Sequence, residues 1–255
     1  MALVSDRRRF FRRALSGAAV LALSGCDRLS RTEWFPKFLG ISESLSSAAQ
    51  HLITTRKSMA QEFTEADLSP QFRSNGTAKP NDPQYQAMAA RGFSDYRLEL
   101  RGLIEQPVSF SLAELRELPS RTQITRHDCV EGWSAIGKWK GVQLSMLLER
   151  VRPKPEARYV VFRCADAMEN DGTLYYESID MEDAYHPQTI LAYQLNDAPL
   201  PVANGAPIRV RVERQLGYKM AKFITSIELV STFDHIGRGK GGYWEDLGYQ
   251  WYAGI

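Results

Sequence analysis

Arg126-His127-Asp128-Cys129-Val130-Glu131-Gly132-Trp133-Ser134 is the stretch from which the rest of this 255-residue chain is interpreted. Its centre, Cys129, follows a β-rich stretch and precedes a segment punctuated by glycines, Ile136-Gly137-Lys138-Trp139-Lys140-Gly141, which we expect to form a loop. A thiolate is a soft ligand for a redox metal, and one is enough when an organic cofactor supplies the other donors. A free cysteine also packs well as a small hydrophobic residue. The stretch alone leaves both interpretations open.

The composition is that of a folded protein with one main domain. The chain is 44% hydrophobic and 24% charged, which is enough apolar material for a substantial core. A formal net charge of +2 is too balanced to indicate a nucleic-acid-binding protein. The three cysteines, Cys26, Cys129 and Cys164, do not make an even set, although a disulfide between Cys129 and Cys164 stays possible in an oxidising compartment. The four histidines and the thiols lack the spacing of a zinc finger.

The N-terminal residues have the order of a bacterial export signal. Asp6-Arg7-Arg8-Arg9-Phe10-Phe11-Arg12 resembles the twin-arginine motif, and an uncharged apolar run follows it. Leu23-Ser24-Gly25-Cys26 then resembles a lipobox, whose cysteine is lipidated. A charged cap on an ordinary N-terminal helix is the alternative. We therefore expect residues 1–26 to be a signal segment, and the mature protein to be periplasmic and held at a membrane by a lipid anchor. The twin-arginine route exports folded proteins, which suits a chain that receives a complex cofactor before export.

The remaining chain predicts an N-terminal arm and an α+β domain. Residues 27–90 are polar with weak periodicity and read as a tether and arm, within which Phe72-Arg73-Ser74-Asn75-Gly76-Thr77 is an ordered loop or an ordinary turn. Residues 91–255 alternate strand patterns with short helices and lack a regular βαβ period, which favours a mixed β-sheet. Strands are expected near Tyr96 to Leu100, Tyr159 to Phe162, Tyr175 to Ile179, Ile190 to Tyr193, Ile208 to Val212 and Ile224 to Val230. Helices are expected after the capping-box pair Ser111 and Glu114, and from Leu144 to Val151, where Pro153 stops the helix.

Two later segments have the composition of an anion-binding site. Asn204-Gly205-Ala206-Pro207-Ile208-Arg209 brings an amide, a glycine N–H and a guanidinium to a turn that enters a strand. Gln215-Leu216-Gly217-Tyr218-Lys219-Met220-Ala221-Lys222 adds two ammonium groups. Arginine can bind two phosphate oxygens at once, and lysine acts as a point charge. Each segment by itself is also compatible with a solvated turn.

Together these motifs resemble the sulfite oxidase superfamily of molybdopterin-dependent oxidoreductases, in particular the bacterial periplasmic group that includes methionine sulfoxide reductase catalytic subunits. The resemblance runs from about Phe72 to Ile255. It implies a sulfite-oxidase-type molybdopterin-binding fold and a molybdenum-molybdopterin cofactor. The motifs that carry it are Cys129-Val130-Glu131-Gly132-Trp133-Ser134, Tyr176-Glu177-Ser178-Ile179, His186-Pro187, Asn204 to Arg209 and Gly217-Tyr218-Lys219.

The resemblance also implies roles for individual residues. Cys129 falls where the family's cysteine binds molybdenum, which makes it the expected metal ligand and catalytic residue. Cys164 stands where the methionine sulfoxide reductase has a cofactor-binding threonine, so this position departs from that enzyme. The positions expected to bind the cofactor are Arg73, Asn75, Cys164, Asn204, Arg209, Lys219, Met220, Ala221 and Lys222.

The expected activity is two-electron oxygen-atom transfer on a small sulfur-containing or other oxide substrate. The direction stays open: a reductase would act on a sulfoxide, whereas an oxidase of sulfite would need arginines near the metal, for which Arg73, Arg126 and Arg163 are candidates. Trp133, Tyr218 and Trp244 are candidate pocket residues or core residues, and His127 is either a tuning residue or a hydrogen-bonded structural one.

The alternative from another class is a lipid-anchored binding or scaffold protein that keeps the fold without redox chemistry. We expect neither the C-terminal dimerisation domain of typical sulfite oxidases nor a fused haem domain. We therefore expect a monomer served by a separate redox partner, such as a cytochrome or a membrane haem protein, with no nucleic acid bound.

Overall fold

The computed structural model describes residues 32, 34, 58–168 and 172–255. The expected signal segment 1–26 and its lipobox cysteine, Cys26, lie outside these residues, as do residues 27–31, 33 and 35–57 of the expected tether and arm. The described residues from position 58 onward belong to one compact unit, Arg56–Ile255. Within the described residues, no helix is both long and apolar enough to cross a membrane.

The first of two five-stranded sheets combines parallel and antiparallel pairing. Its spatial order is β2-β1-β10-β5-β6, and only β1 and β10 run parallel. The apolar run Val160, Val161 and Phe162 in β5 is fully buried, as expected for a strand covered on both faces. This mixed sheet with short helices confirms the α+β class. The strands are β1 (Arg97–Gly102), β2 (Val108–Ser111), β5 (Tyr159–Ala167), β6 (Leu174–Asp180) and β10 (Ile224–Val230).

The second sheet is antiparallel and carries the cysteine motif. Its path is β3-β4-β7-β8, and β9 pairs with β7. The long pair β3 and β4 forms a hairpin in which Cys129 faces Trp133 across the ladder. The strands are β3 (Ser120–Cys129), β4 (Trp133–Gln143), β7 (Ile190–Leu195), β8 (Ala198–Pro199) and β9 (Arg209–Arg211).

The prediction of a loop at residues 136–141 was wrong, because this segment is the middle of β4. Its glycines serve close packing rather than turns. A Cβ on Gly141 would lie 2.2 Å from the backbone oxygen of Leu191 in β7, and one on Gly137 would lie 2.9 Å from the ring of Phe72. Glycine in a strand can mark such a close approach of another backbone, and the sequence alone does not separate this case from a turn.

Short helices connect the strands, and two of them, α2 and α3, lie where the sequence predicted helices. Ser111 and Glu114 form a reciprocal capping box on α2. The apolar stripe of α3 is fully buried, and the helix ends at Val151, after which Arg152 adopts a left-handed conformation with φ 53° before Pro153. The helices are α1 (Pro83–Ala90), α2 (Leu112–Glu117), α3 (Leu144–Val151), α4 (Met181–Ala184) and α5 (Tyr243–Asp246).

The alternating segment around β9 is buried on both sides. Arg209 and Arg211 are both 0% exposed, although they occupy the polar side of the alternation. Arg211 is neutralised by two hydrogen bonds to Glu213, at 2.9 and 2.6 Å. Both guanidinium groups also lie over the ring of Trp139, at 5.2 and 4.5 Å from its centroid. Two arginines in the interior of a small protein indicate an internal polar site.

Candidate active site

Cys129 is held at the end of a buried strand face. In β3 the inward side chains are those of Gln123, Thr125, His127 and Cys129, and none is more than 9% exposed. The hairpin loop that follows contains Gly132 in the left-handed region at φ 85°, and its N–H donates to the Cys129 carbonyl at 3.0 Å. A three-residue hairpin loop requires a residue of this conformation, which glycine adopts without strain. The thiol therefore has a fixed position at the strand end.

Cys129 opens into a cavity of about 160 Å³ between the two sheets. The walls come from the ends of β3 and β5, the start of β6, the 3₁₀ turn Gly217–Lys219 and α5. A loop of the N-terminal arm closes one side. The lining residues are Asn75, Gly76, Thr77, Cys129, Val130, Glu131, Asp166, Met168, Tyr175, Gly217, Tyr218, Met220, Lys222, Trp244 and Tyr249.

Cys129 and Cys164 are both free thiols, so the disulfide that the sequence allowed is not formed. Burial raises the pKa of the Cys129 thiol, and a backbone hydrogen bond from Glu131 partly opposes this. Such a thiol is neutral and unreactive near pH 7 unless a cation takes the place of its proton. A coordinated metal does this directly, because it binds the thiolate.

Lys222 joins the N-terminal arm to the cavity wall. Its Nζ donates to the carbonyl oxygens of Asn75 at 2.6 Å, Thr77 at 2.5 Å and Ala203 at 3.1 Å. Burial, followed by the charge of Arg209, lowers the pKa of Lys222 to about 7. An anion that binds beside this group stabilises its charged, ammonium form.

Arg209 and Asn204 lie directly behind Lys222. Gly205, at φ 113°, allows this packing, since a Cβ there would lie 3.0 Å from Lys222 and 3.1 Å from the Cβ of Arg209. Arg209 donates to the carbonyl oxygens of Asn204 at 3.1 Å and Met220 at 3.3 Å. Within the described part of the chain, neither Arg209 nor Lys222 forms a salt bridge. Two buried cations without a carboxylate partner provide the positive charge that a phosphate needs in order to bind inside a protein.

The unpartnered polar atoms around the cavity fit the cofactor implied by the resemblance. Arg209 Nε and Asn204 Nδ2 are buried donors that have no acceptor in the structure. Asn75 Oδ1 and Asp166 Oδ1 are buried acceptors that have no donor. A phosphate satisfies the donors, the N–H groups of a pterin satisfy the acceptors, and a soft metal takes the thiolate of Cys129. The residues present therefore fit a molybdopterin, whose phosphate Arg209 would hold.

The structure brings together four of the predicted site residues on the cavity wall: Asn75, Cys129, Met220 and Lys222. Asn204 and Arg209 form the layer behind them. Ala221 is 1% exposed, and its carbonyl accepts from Val210 N at 3.0 Å.

The side chains of Arg73, Cys164 and Lys219 lie outside the cavity lining. The Arg73 guanidinium stacks 5.4 Å from the centroid of the Trp133 ring. Cys164 is 2% exposed within the first sheet. Lys219 Nζ is 2.5 Å from each of two buried carboxylates, Glu177 and Glu245, so the ammonium group is already paired. Any contact of these three residues with the cofactor requires backbone atoms or side-chain movement.

The arginines considered for sulfite are also placed away from the cavity. Arg126 pairs with Asp128 at 2.9 Å, and Arg163 pairs with Glu228 at 2.9 Å. Tyr218 and Trp244 do line the cavity, whereas Trp133 does not.

Asp166 is a site residue that the sequence did not reveal. It is 4% exposed, and burial raises the pKa of its carboxyl group. The pairing of β5 with β6 shifts register between Arg163 and Ala167, and such an irregularity can turn a side chain into a site. The only signal in the sequence is an acid at the end of an apolar strand, which does not say where the side chain points.

His127 is a buried residue that contacts both Arg211 and the cavity residue Met220. Its Nδ1 accepts a hydrogen bond from Arg211 at 2.9 Å and lies 3.3 Å from the sulfur of Met220. Arginine only donates, so the proton of the neutral ring is on Nε2. Burial and then Arg211 lower the pKa of His127 well below its usual value, and the ring stays neutral beside Cys129.

Comparison with known proteins gives a family. Residues 85–235 match the family described as the oxidoreductase molybdopterin-binding domain. YedZ1 of Azospira oryzae, described as a candidate subunit of a protein-methionine-sulfoxide reductase, is 35% identical over 97% of this chain and 87% of its own length. The protein-methionine-sulfoxide reductase catalytic subunit MsrP of Ralstonia nicotianae is 33% identical over 89% of this chain and 70% of its own. The crystal structure of the sulfane dehydrogenase SoxCD from Paracoccus pantotrophus is a partial likeness, with 24% identity, 54% of this chain and 39% of that chain covered, and a TM-score of 0.49. The chain therefore belongs to the oxidoreductase molybdopterin-binding domain family and is a molybdopterin-dependent oxidoreductase.

Proposed function

We propose that the protein removes the oxygen atom from a small sulfoxide, and that its cavity binds the organic groups on the sulfur. The observation that carries this proposal is the lining of the cavity beside Cys129. Four aromatic and three aliphatic residues line it, and the one cation among the described lining residues is Lys222, which the cofactor phosphate would neutralise. A neutral sulfoxide suits such walls, whereas sulfite is an anion and needs cationic groups to offset its desolvation. Two relatives with sulfoxide reductase names support the same direction.

The reaction is R₂SO + 2 e⁻ + 2 H⁺ → R₂S + H₂O. When bound, the cofactor would supply the chemistry of two-electron oxygen-atom transfer. Cys129 would hold its metal at the end of β3, while Arg209, Asn204 and Lys222 would bind the phosphate and fix its orientation. Asp166 and Asn75 would accept hydrogen bonds from the pterin. Tyr218 and Trp244 pack against the organic groups of the substrate and exclude water from the sulfur.

The two electrons come from a separate redox protein in this proposal, which we expect to be a cytochrome or a membrane haem protein. The relatives' names support it, because both are described as subunits of a reductase. Export by the twin-arginine route, a periplasmic location, a lipid anchor at Cys26 and a monomeric state are further parts of the proposal. Export, location and the anchor rest on the N-terminal sequence motifs, and the monomeric state rests on the resemblance to the family.

The first test replaces the metal ligand. Cys129→Ala is expected to lose molybdenum, because no other thiol lines the cavity among the described residues. Metal analysis of cofactor-loaded wild-type protein should give about one molybdenum per chain. Cys164→Ala is the matched control for loss of a thiol and should retain the metal. Retention of molybdenum and of full activity by Cys129→Ala contradicts the assignment.

The second test compares substrates. With a reduced dye as electron donor, the loaded protein should reduce dialkyl or alkyl aryl sulfoxides. With an electron acceptor, it should oxidise sulfite at a kcat/KM at least about a hundredfold lower, because Lys222 and Arg209 would be occupied by the cofactor phosphate and would leave a desolvated substrate anion without a cationic partner. Rapid oxidation of sulfite together with no reduction of sulfoxides would reverse the proposed direction.

A further inference from the structure

Lys219, Glu177 and Glu245 form a fully buried cluster of three ionisable residues. The Lys219 ammonium lies 2.5 Å from Glu177 Oε1 and 2.5 Å from Glu245 Oε1. The side chains of Lys219 and Glu177 are 0% exposed, and that of Glu245 is 1% exposed. The backbone N–H of Ser178 also donates to Glu177 Oε1, at 2.7 Å. Charged groups are almost never buried this completely unless they are paired, so the three residues depend on one another.

The cluster joins three separate segments of the chain. Glu177 belongs to β6, Lys219 ends the 3₁₀ turn Gly217–Lys219, and Glu245 belongs to α5. The close fit extends to the backbone, because a Cβ on Gly242 would lie 2.0 Å from Glu245 Oε2 and 2.7 Å from Glu177 Oε1. Lys219 is therefore the one cation through which α5 is bonded to the body of the domain in this cluster.

Each of the three segments also supplies a wall of the cavity. Tyr175 precedes Glu177 by two residues, Tyr218 precedes Lys219, and Trp244 precedes Glu245. The cluster thus lies immediately behind the aromatic side of the site. No member of the cluster lines the cavity itself.

Aromatic contacts connect α5 to the cavity wall, so the position of the helix determines the position of the wall. Trp244 stacks on Tyr249 with ring centroids 5.3 Å apart, and Tyr249 packs edge-on against Tyr218, also at 5.3 Å. The Tyr218 hydroxyl donates to the Gln250 carbonyl at 2.6 Å. The Trp251 ring covers the Lys219 ammonium at 5.3 Å. A shift of α5 away from Lys219 would displace all of these rings together.

We propose that Glu177, Lys219 and Glu245 are positioning residues that hold residues 241–251 against the cavity, so that Trp244 and Tyr249 form its substrate-facing wall. The cluster acts on substrate binding through these rings and leaves the cofactor site intact. The inference rests on the proposed function only in assuming that this wall meets the substrate.

The test removes the shared cation in Lys219→Met and measures two properties of the cofactor-loaded protein. Amide hydrogen exchange at Asp246, Leu247, Gly248 and Tyr249, whose N–H groups bond within this segment, should become at least about tenfold faster. KM for the sulfoxide should rise about tenfold with kcat changed less than about twofold, because binding is weakened and the reacting centre is not. Molybdenum content should be unchanged.

Two further variants keep the test decisive. Glu245→Gln leaves one ammonium facing one carboxylate and retains an acceptor oxygen, so it should fold if Lys219→Met does not, and should show the same changes at about a third of the size. Glu228→Gln removes the carboxylate of the partly buried pair with Arg163 and should change neither property.

Unchanged amide exchange in both cluster variants overturns the inference. So does a loss of molybdenum with KM unchanged, since Lys219 would then hold the cofactor. A protein without sulfoxide reductase activity fails the proposed function alone, because the exchange measurement still reports whether the cluster holds the segment.

Discussion

At the residue scale, Lys222 is the group whose charge depends most directly on what the cavity contains. Burial and the neighbouring Arg209 lower the pKa of Lys222 to about 7, so the ammonium is only partly protonated near neutrality. A bound anion favours the charged form, and anion binding to the cofactor-free protein must therefore take up a proton. The three carbonyl oxygens around Nζ accept from all three N–H groups of the ammonium, whereas the neutral amine can donate to only two of them.

This linkage predicts pH-dependent anion binding. Sulfate is a suitable probe because it stays a dianion between pH 6 and pH 8, and its affinity for the cofactor-free protein should fall about tenfold over that range. Titration calorimetry measures the change. Lys222→Met should bind more weakly and lose the pH dependence. An equally steep pH dependence in the variant would show that another group takes up the proton.

At the scale of elements, the sequence predicted strands and helices from their hydrophobic periodicity. It did not predict which glycines allow close packing between strands. The apolar run Tyr159 to Phe162 and the capping box at Ser111 depend on near neighbours in the chain, and both predictions were confirmed. The role of Gly141 depends on Leu191, fifty residues away in the sequence and in another strand. A glycine that permits close approach looks the same in a sequence as a glycine that permits a turn.

The same distinction separates the predicted and missed parts of the site. Asn204 to Arg209 and Cys129 to Ser134 are contiguous motifs, so their chemistry was visible before their positions were known. Asp166 gains its place from an irregular ladder between β5 and β6. The pairing of Lys219 with two carboxylates likewise needs three segments that only the tertiary structure brings together.

The packing of β4 against β7 gives a prediction for Gly141. A methyl group at this position would overlap the backbone of Leu191, which cannot move without breaking the ladder. Gly141→Ala should lower the free energy of unfolding by about 3 kcal/mol, as overpacking of a well-packed interior does. Urea unfolding measures the loss.

Gly137→Ala is the matched control in the same strand. Its new methyl group would meet the Phe72 ring and a δ-carbon of Leu195, and side chains can move aside, so the expected loss is about 1 kcal/mol. Equal losses at the two positions would argue that β4 and β7 are not held as closely as the structure shows.

At the scale of the whole molecule, the charges inside the protein do not balance locally. Arg211 and Glu213 cancel each other, whereas two carboxylates share the single ammonium of Lys219. Glu177 Oε2 and Glu245 Oε2 have no hydrogen-bond partner in the structure. Burial, the largest cause, and the charge of Glu245 raise the pKa of Glu177 well above its usual value, although Lys219 opposes them. The raised pKa of Glu177 means that, above pH 4.5, this group binds its proton more tightly in the folded protein than in the unfolded chain, which links the proton to the stability of the entire domain.

The sign of that linkage follows from the raised pKa. Above the ordinary pKa of 4.5 for glutamate, the unfolded chain has released the proton that folded Glu177 still holds. Folding then takes up a proton, so this group contributes less stability as the pH rises, by up to about 1.4 kcal/mol per pH unit, until the folded protein also releases the proton. Tyr175 and Tyr176, whose own pKa values are raised partly by Glu177, stay neutral over the range concerned.

The variant Glu177→Gln tests this pH dependence of stability, because glutamine has nearly the same shape as glutamate. Glutamine keeps the Oε1 acceptor for Lys219 and Ser178 and does not titrate. The free energy of urea unfolding should therefore fall less steeply with pH in the variant than in the wild type between pH 5 and pH 9, and the difference should favour the variant increasingly as the pH rises. Asp166 and Asp183 also have raised pKa values, but they are present in both proteins and cancel in the comparison. A difference that stays flat across this range would mean that Glu177 is ionised in the folded protein, and that Lys219 alone compensates both carboxylates.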